Sequence, residues 1–271
     1  VKKLGILFVA LLVGVLAANA AFAGNLVVNG STTVLPISQS AAEAFMAENK
    51  DVKISVSGGG SGNGIKAIID GTCDIANSSR FMKDTEVKSA VEKGVFPVPF
   101  AVAIDAIVPI VHPSNPVANL TTQQLQDIYT GKVTSWKQVG GEDKPIVVVG
   151  RDTSSGTYEV WEEKILKKEK VTPKAQVVAS SGALLQTVSK NKYALGYDGI
   201  GYADDKSVKM LTVNGVKADA KTARSGKYAV SRYLFVFTKG WPKDDVLDFV
   251  NFMQSDEGQK IVVKQGFVPL R

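Results

Sequence analysis

The period of the hydrophobic pattern changes repeatedly along the chain, and each change marks an element. Residues 25–29 are a short β-rich run, followed by a turn and by Ile37, Ala41 and Phe45, spaced four apart as on one helix face. Val52, Ile54 and Val56 alternate with polar residues, which predicts a strand running into the glycine cluster Gly58-Gly59-Gly60. A helix over 65–70 and a strand over 73–76 come next. Farther on, Thr121 is the expected N-cap of a helix carrying Leu125, Ile128 and Tyr129, with Gly131 as its stop. A strand at 146–149, a polar loop, helices at 158–168 and 184–189, and strands at 194–197 and 230–238 follow. An amphipathic helix at 246–254 completes the pattern. Repeated strand-then-helix units predict parallel sheets flanked by helices, hence an α/β fold. Ligands of such folds sit beyond the carboxyl ends of the strands, where helix N-termini face a crevice.

The N-terminal segment obeys a different logic. Lys2 and Lys3 precede an apolar run over residues 4–15, and small residues ending in Ala21-Phe22-Ala23 lead to Gly24. The run is shorter than the ~20 residues of a membrane-spanning helix, and its Ala-x-Ala end resembles a cleavage site. A signal peptide over residues 1–23 is expected, and with it a periplasmic or extracellular protein. Cys73 is the single cysteine and lies far from that run, so neither an internal disulfide nor a lipid anchor is expected. Within Gly-Thr-Cys-Asp-Ile-Ala it reads as a small packed apolar residue.

Composition narrows the function classes. Hydrophobic residues at 45% and charged residues at 21% are those of an ordinary globular chain, without low-complexity tracts. The formal charge of +6 is carried by scattered residues such as Lys164, Lys167, Lys168 and Lys170, which read as a solvated helix face. No basic run is interleaved with aromatics, so nucleic acid is not an expected partner. The single histidine, His112, lies in the turn-like Val-His-Pro-Ser-Asn-Pro, and no metal site or catalytic triad can be assembled around it. Trp136, Trp161 and Trp241 are expected to pack in the core rather than to form a sugar platform.

Three segments share one design: Gly30-Ser31-Thr32-Thr33, the stretch from Gly58 to Gly64, and Arg151-Asp152-Thr153-Ser154-Ser155-Gly156-Thr157. Each follows a predicted strand, is rich in Gly, Ser and Thr, and opens a predicted helix. Helix N-termini leave backbone N–H groups unpaired, and glycine lets the backbone approach an anion closely. Hydroxyls add donors, and Arg151 adds a planar fork matched to two oxygens of a tetrahedral oxyanion. One such segment is an ordinary cap; three together predict a joint anion site. The second lacks the Gly-Lys-Ser/Thr ending of a nucleotide loop.

On these segments the chain resembles the PstS family, the periplasmic phosphate-binding proteins of ABC transporters. Gly30-Ser31-Thr32-Thr33-Val34-Leu35-Pro36, Gly60-Ser61-Gly62-Asn63-Gly64-Ile65 and Arg151 with Ser155-Gly156-Thr157 carry the resemblance, as do Asn115-Pro116-Val117, the stretch to Ile128-Tyr129-Thr130-Gly131-Lys132, and Trp136. It implies a two-lobed solute-binding fold of type II character, hinged by two crossing strands. Residues 24–104 with 229–271 would form lobe I and residues 105–228 lobe II. It also implies a monomer that binds inorganic phosphate without cofactor or catalysis and delivers it to a membrane permease. Carried over by position, Thr32, Thr33, Ser61 and Ser79 would serve the anion from lobe I, and Arg151, Ser155, Gly156 and Thr157 from lobe II. Two positions depart from the family pattern. Ser79 stands where an aspartate accepts from the protonated phosphate oxygen, and Thr153 where an aspartate partners the arginine. A serine hydroxyl accepts but carries no charge to repel sulfate. Asp105 and Asp198 are possible substitutes, with turn or hinge roles equally open, and Arg80 either adds positive potential beside Ser79 or is a surface arginine. Sulfate and arsenate remain alternative ligands, and a secreted phosphatase or a vestigial surface protein are rivals from other classes.

Overall fold

The computed structural model describes residues 24–203 and 206–271, and the expected signal peptide, residues 1–23, lies outside them. Strands and helices alternate at first: β1 (Asn25–Gly30), α1 (Leu35–Glu48), β2 (Lys53–Gly58), α2 (Ser61–Ile69), β3 (Ile75–Ser78) and α3 (Asp84–Glu92). The long strand β4 (Val98–Val111) leads to β5 (Asn119–Leu120), α4 (Thr122–Thr130), β6 (Val147–Arg151) and α5 (Gly156–Lys164). Then come β7 (Gln176–Val178), α6 (Ser181–Ser189), β8 (Ala194–Gly199), β9 (Lys209–Met210), β10 (Thr212–Val213) and α7 (Ala220–Arg224). The chain returns through β11 (Ser231–Thr238) and ends in α8 (Asp244–Gln254) and α9 (Asp256–Lys264).

The main sheet has the order β2-β1-β3-β11-β4-β8-β6-β7, with β9 also on β4. β1 is parallel to β2 and β3, and β6 is parallel to β7 and β8, as strand-helix-strand units require. β4 is shared between two halves: residues 98–106 pair antiparallel with β11, and residues 107–111 pair with β8. The returning chain runs alongside, with the Ile107 N–H donating to the Val230 carbonyl at 2.9 Å.

Each half has its own core. One is built on Tyr129, Trp136, Trp161, Leu184 and Tyr197, with Trp161 stacked on Tyr197 at 4.3 Å between ring centres. The other gathers Val28, Ile37, Phe45, Val236 and Phe249, beside a smaller cluster that includes Ile65, Ile68 and the buried Cys73. Burial pushes the Cys73 thiol up to about 11, which suits a packing residue rather than a reactive one. Trp241 departs from the expected core role: it is 71% exposed and leans on Phe100.

Local signals account for the helix ends. Thr121 accepts from the Gln124 N–H at 3.1 Å while Gln124 accepts from the Thr121 N–H at 2.8 Å, a reciprocal cap. Gly131 closes α4 with φ of 85°, a conformation that glycine adopts without cost. The structure moves some boundaries. α2 begins at Ser61 rather than 65, β3 lies two residues later, and α5 stops at Lys164. Lys167 and Lys168 have positive φ, so the helix expected to reach 168 has already ended.

Candidate anion-binding site

The three Gly/Ser/Thr segments come together where the two halves meet. Gly30 ends β1, Ser31-Thr32-Thr33 follow it, and α1 starts just beyond at Leu35. Ser61 is the first residue of α2, and Ser155 caps α5 by accepting from the Tyr158 N–H at 3.2 Å. Contacts across the halves are direct. The Gly62 N–H donates to the Ser154 carbonyl at 2.9 Å, and the Thr33 and Thr157 hydroxyls are 2.9 Å apart. Such close approach needs glycine at two positions. Gly60 has φ of 98°, and a Cβ there would run into Ser154. A Cβ on Gly156 would strike the Ser61 hydroxyl and lie 2.8 Å from that of Ser79.

Two buried arginine–aspartate pairs frame the cleft. Arg151, at the end of β6, donates to the Thr32 hydroxyl at 3.0 Å, to Ser181 Oγ at 3.1 Å and to the Ala179 carbonyl at 3.2 Å. Its guanidinium lies 3.7 Å from Asp198 Oδ2, and both side chains are almost fully buried. Asp198 Oδ1 accepts from Ser181 Oγ and from the Gly199 N–H. Burial pushes the Asp198 carboxyl above its usual range; Arg151 and these hydrogen bonds oppose the shift without cancelling it. Arg232, on β11, donates to Asp105 on β4 at 2.7 and 2.9 Å, to the Ser79 carbonyl at 3.0 Å and to the Thr157 hydroxyl at 3.0 Å. Among the described residues, the buried Arg151 Nε and Asp198 Oδ2 have no hydrogen-bond partner. A buried polar atom left in that state is costly unless a ligand or water meets it.

All eight residues expected at the site lie in or beside this cleft. Ser61 and Ser79 are neighbours, with Oγ atoms 3.2 Å apart, and Ser79 is 1% exposed. The Thr33 N–H is turned to Ser31 Oγ at 3.2 Å. Asp152 folds back on its own loop, accepting from the Ser154 N–H at 2.8 Å, so Arg151 takes Asp198 as its carboxylate neighbour. Asp105 and Asp198 each face an arginine rather than shaping a turn. Arg80 is not at the surface: it is 7% exposed and held between Glu86 and Glu159. Ser181 and Arg232 are additions. Ser180-Ser181-Gly182 carries the strand-then-helix-start signature used for the other segments, whereas Arg232 lies inside an apolar strand with nothing local to mark it.

Comparison with known proteins places this geometry in a family. A family model described as a PBP superfamily domain matches residues 17–257. The phosphate-binding protein PstS of Bacillus subtilis is 33% identical over 252 residues, covering 91% of this chain and 81% of the relative. The chain belongs to the PstS family. A phosphate ABC transporter substrate-binding protein from Clostridium perfringens, solved with bound phosphate, superposes with a TM-score of 0.86 at 36% identity, covering 92% of this chain and all of that one. An ABC-type phosphate transport receptor from Vibrio cholerae gives a TM-score of 0.73 at 32% identity, covering 90% of this chain and 99% of the other. The chain thus has the two-lobed fold of these binding proteins.

Proposed function

We propose that the cleft binds inorganic phosphate without turnover and delivers it to the permease of an ABC transporter from outside the cytoplasmic membrane. The observation that carries this reading is an enclosed convergence of donors. Thr32, Thr33, Ser61, Ser155 and Thr157 hydroxyls, the α5 start at Gly156 and the Arg151 guanidinium meet where every one of these side chains is nearly or fully buried. Many neutral donors and one fork replace the hydration shell of a tetrahedral anion, and the dipole of α5 favours its charge. In this reading Ser79 supplies a neutral hydroxyl acceptor. Residues 24–104 with 229–271 form one lobe and 105–228 the other, the protein acts as a monomer, and the signal peptide directs export. The names of the relatives support the ligand and the transporter role. A phosphatase would need a nucleophile with its base; His112, the only imidazole, is bonded through Nδ1 to the Ser114 hydroxyl in a turn.

Enclosure also sets a test. An ester tail would have to pass through contacts such as the Thr33–Thr157 pair, so a phosphomonoester is expected to bind about 100-fold more weakly than phosphate. Equilibrium titration with phosphate and with glycerol 3-phosphate reads this directly. Equal affinities would contradict an enclosed site for the free anion.

A further inference from the structure

A second set of charges spans the cleft beside the anion donors. Arg80 follows Ser79 directly and is locked in its own half. Its two terminal nitrogens each lie 2.7 Å from a Glu86 oxygen, and Nη1 also donates to the Phe81 carbonyl at 2.9 Å. Glu86 is fixed in turn by the Lys83 N–H at 2.9 Å. The remaining nitrogen, Nε, lies 2.8 Å from Glu159 Oε2, outside hydrogen-bond alignment, and Lys83 Nζ reaches the same oxygen at 2.7 Å. Glu159 belongs to the other half. It sits in the first turn of α5, two residues after Thr157, and its side chain is 12% exposed.

The arrangement has a simple charge balance. Arg80, Lys83 and Glu86 leave one positive charge on one side of the cleft, and Glu159 places one negative charge on the other. Closure brings them together in a partly desolvated spot, where an ion pair is worth more than at an open surface. Ser79 adjoins Arg80 and Thr157 lies near Glu159, so one motion closes the anion site and forms these pairs. We propose that Glu159 is the bolt of a closure latch: by pairing with Arg80 and Lys83 across the cleft it stabilises the closed state and slows anion release without contacting the anion. This rests on the solute-binding reading above but not on phosphate being the ligand.

The sign of one substitution separates the latch from plain electrostatics. A carboxylate in the first turn of α5 repels an anion bound at the same helix start, so removing its charge would by itself tighten binding. The latch predicts the reverse. In rapid-mixing measurements Glu159→Gln is expected to release the anion about tenfold faster, with association changed by no more than about twofold. Lys83→Met is expected to release about threefold faster, and the double variant no faster than Glu159→Gln alone, because both act at one oxygen. A misfolded variant would lose association as well, which keeps the comparison clean. Phosphate, arsenate and sulfate are run in parallel, and the latch is judged on whichever anions the wild type holds. A wild type that retains only sulfate would count against phosphate as ligand while leaving the latch to its own result. Unchanged or slower release from Glu159→Gln would overturn the latch.

Discussion

Replacing Arg151 by alanine is expected to weaken phosphate binding by about a thousandfold, ~4 kcal/mol, against about tenfold for Thr32→Ala. The difference follows from what each side chain is. The Thr32 hydroxyl is one neutral group among several, and Arg151 already donates to it at 3.0 Å. Arg151 brings a positive charge to the heart of the cleft, and its buried Nε has no hydrogen-bond partner among the described residues. Arg151→Lys keeps the charge but loses the planar fork, so an intermediate loss is expected. The alanine variant also changes how stability depends on pH. Asp198 would lose the cation that opposes its desolvation, and its already raised carboxyl would rise further. A folded-state value above the unfolded one gives stability that is present at low pH and lost as pH rises through the folded value. Thermal unfolding of Arg151→Ala should therefore show a larger deficit at neutral than at acidic pH. Equal and negligible binding losses for Arg151→Ala and Thr32→Ala would remove the site from this cleft.

The second large effect belongs to stability. Arg232→Met is expected to cost about 3–5 kcal/mol, because Asp105 would remain buried without its partner. Asp105 is fully buried and, among the described residues, retains the Ile200 N–H at 3.0 Å once Arg232 is gone. Arg232→Met combined with Asp105→Leu should recover most of the loss, since neither charge is then stranded. Recovery of stability need not restore binding. The double variant still lacks the donors that Arg232 sends to Thr157 Oγ1 and the Ser79 carbonyl. It should bind phosphate about tenfold more weakly than the wild type. Chemical denaturation with paired titrations separates the two effects. A single variant as stable as the wild type would show that the Arg232–Asp105 pair does not hold the crossing strands together.

What was legible in the chain, and what was not, has physical causes. α4 is legible in the sequence, because a reciprocal cap at Thr121, apolar residues at helical spacing and a glycine stop are all local. The three donor segments were legible for the same reason: a helix start that meets an anion needs Gly, Ser and Thr in one short stretch. β4 carries no periodic signature of its own; only the family resemblance implies a strand crossing near residue 104. Residues 102–111 are buried throughout, so polar alternation never appears, and Asp105 and Pro109 interrupt what would otherwise read as an apolar run. The charged framework of the cleft was the least visible part. Arg232 meets Asp105 across 127 positions of sequence, and Arg151 reaches Thr32 across 119. The burial of Arg80 has no local signal, because its partners arrive from α3 and from the opposite half. Such pairings are properties of the folded chain, and only the topology brings them together.

The central claim is tested most directly by calorimetric titration of the ligand-stripped protein with phosphate and with sulfate, at mildly acidic and mildly alkaline pH. One phosphate per chain with micromolar or tighter affinity, about 8 kcal/mol or more, and weaker sulfate binding at both pH values is the predicted result. No binding of phosphate, or sulfate held more tightly than phosphate, would contradict it.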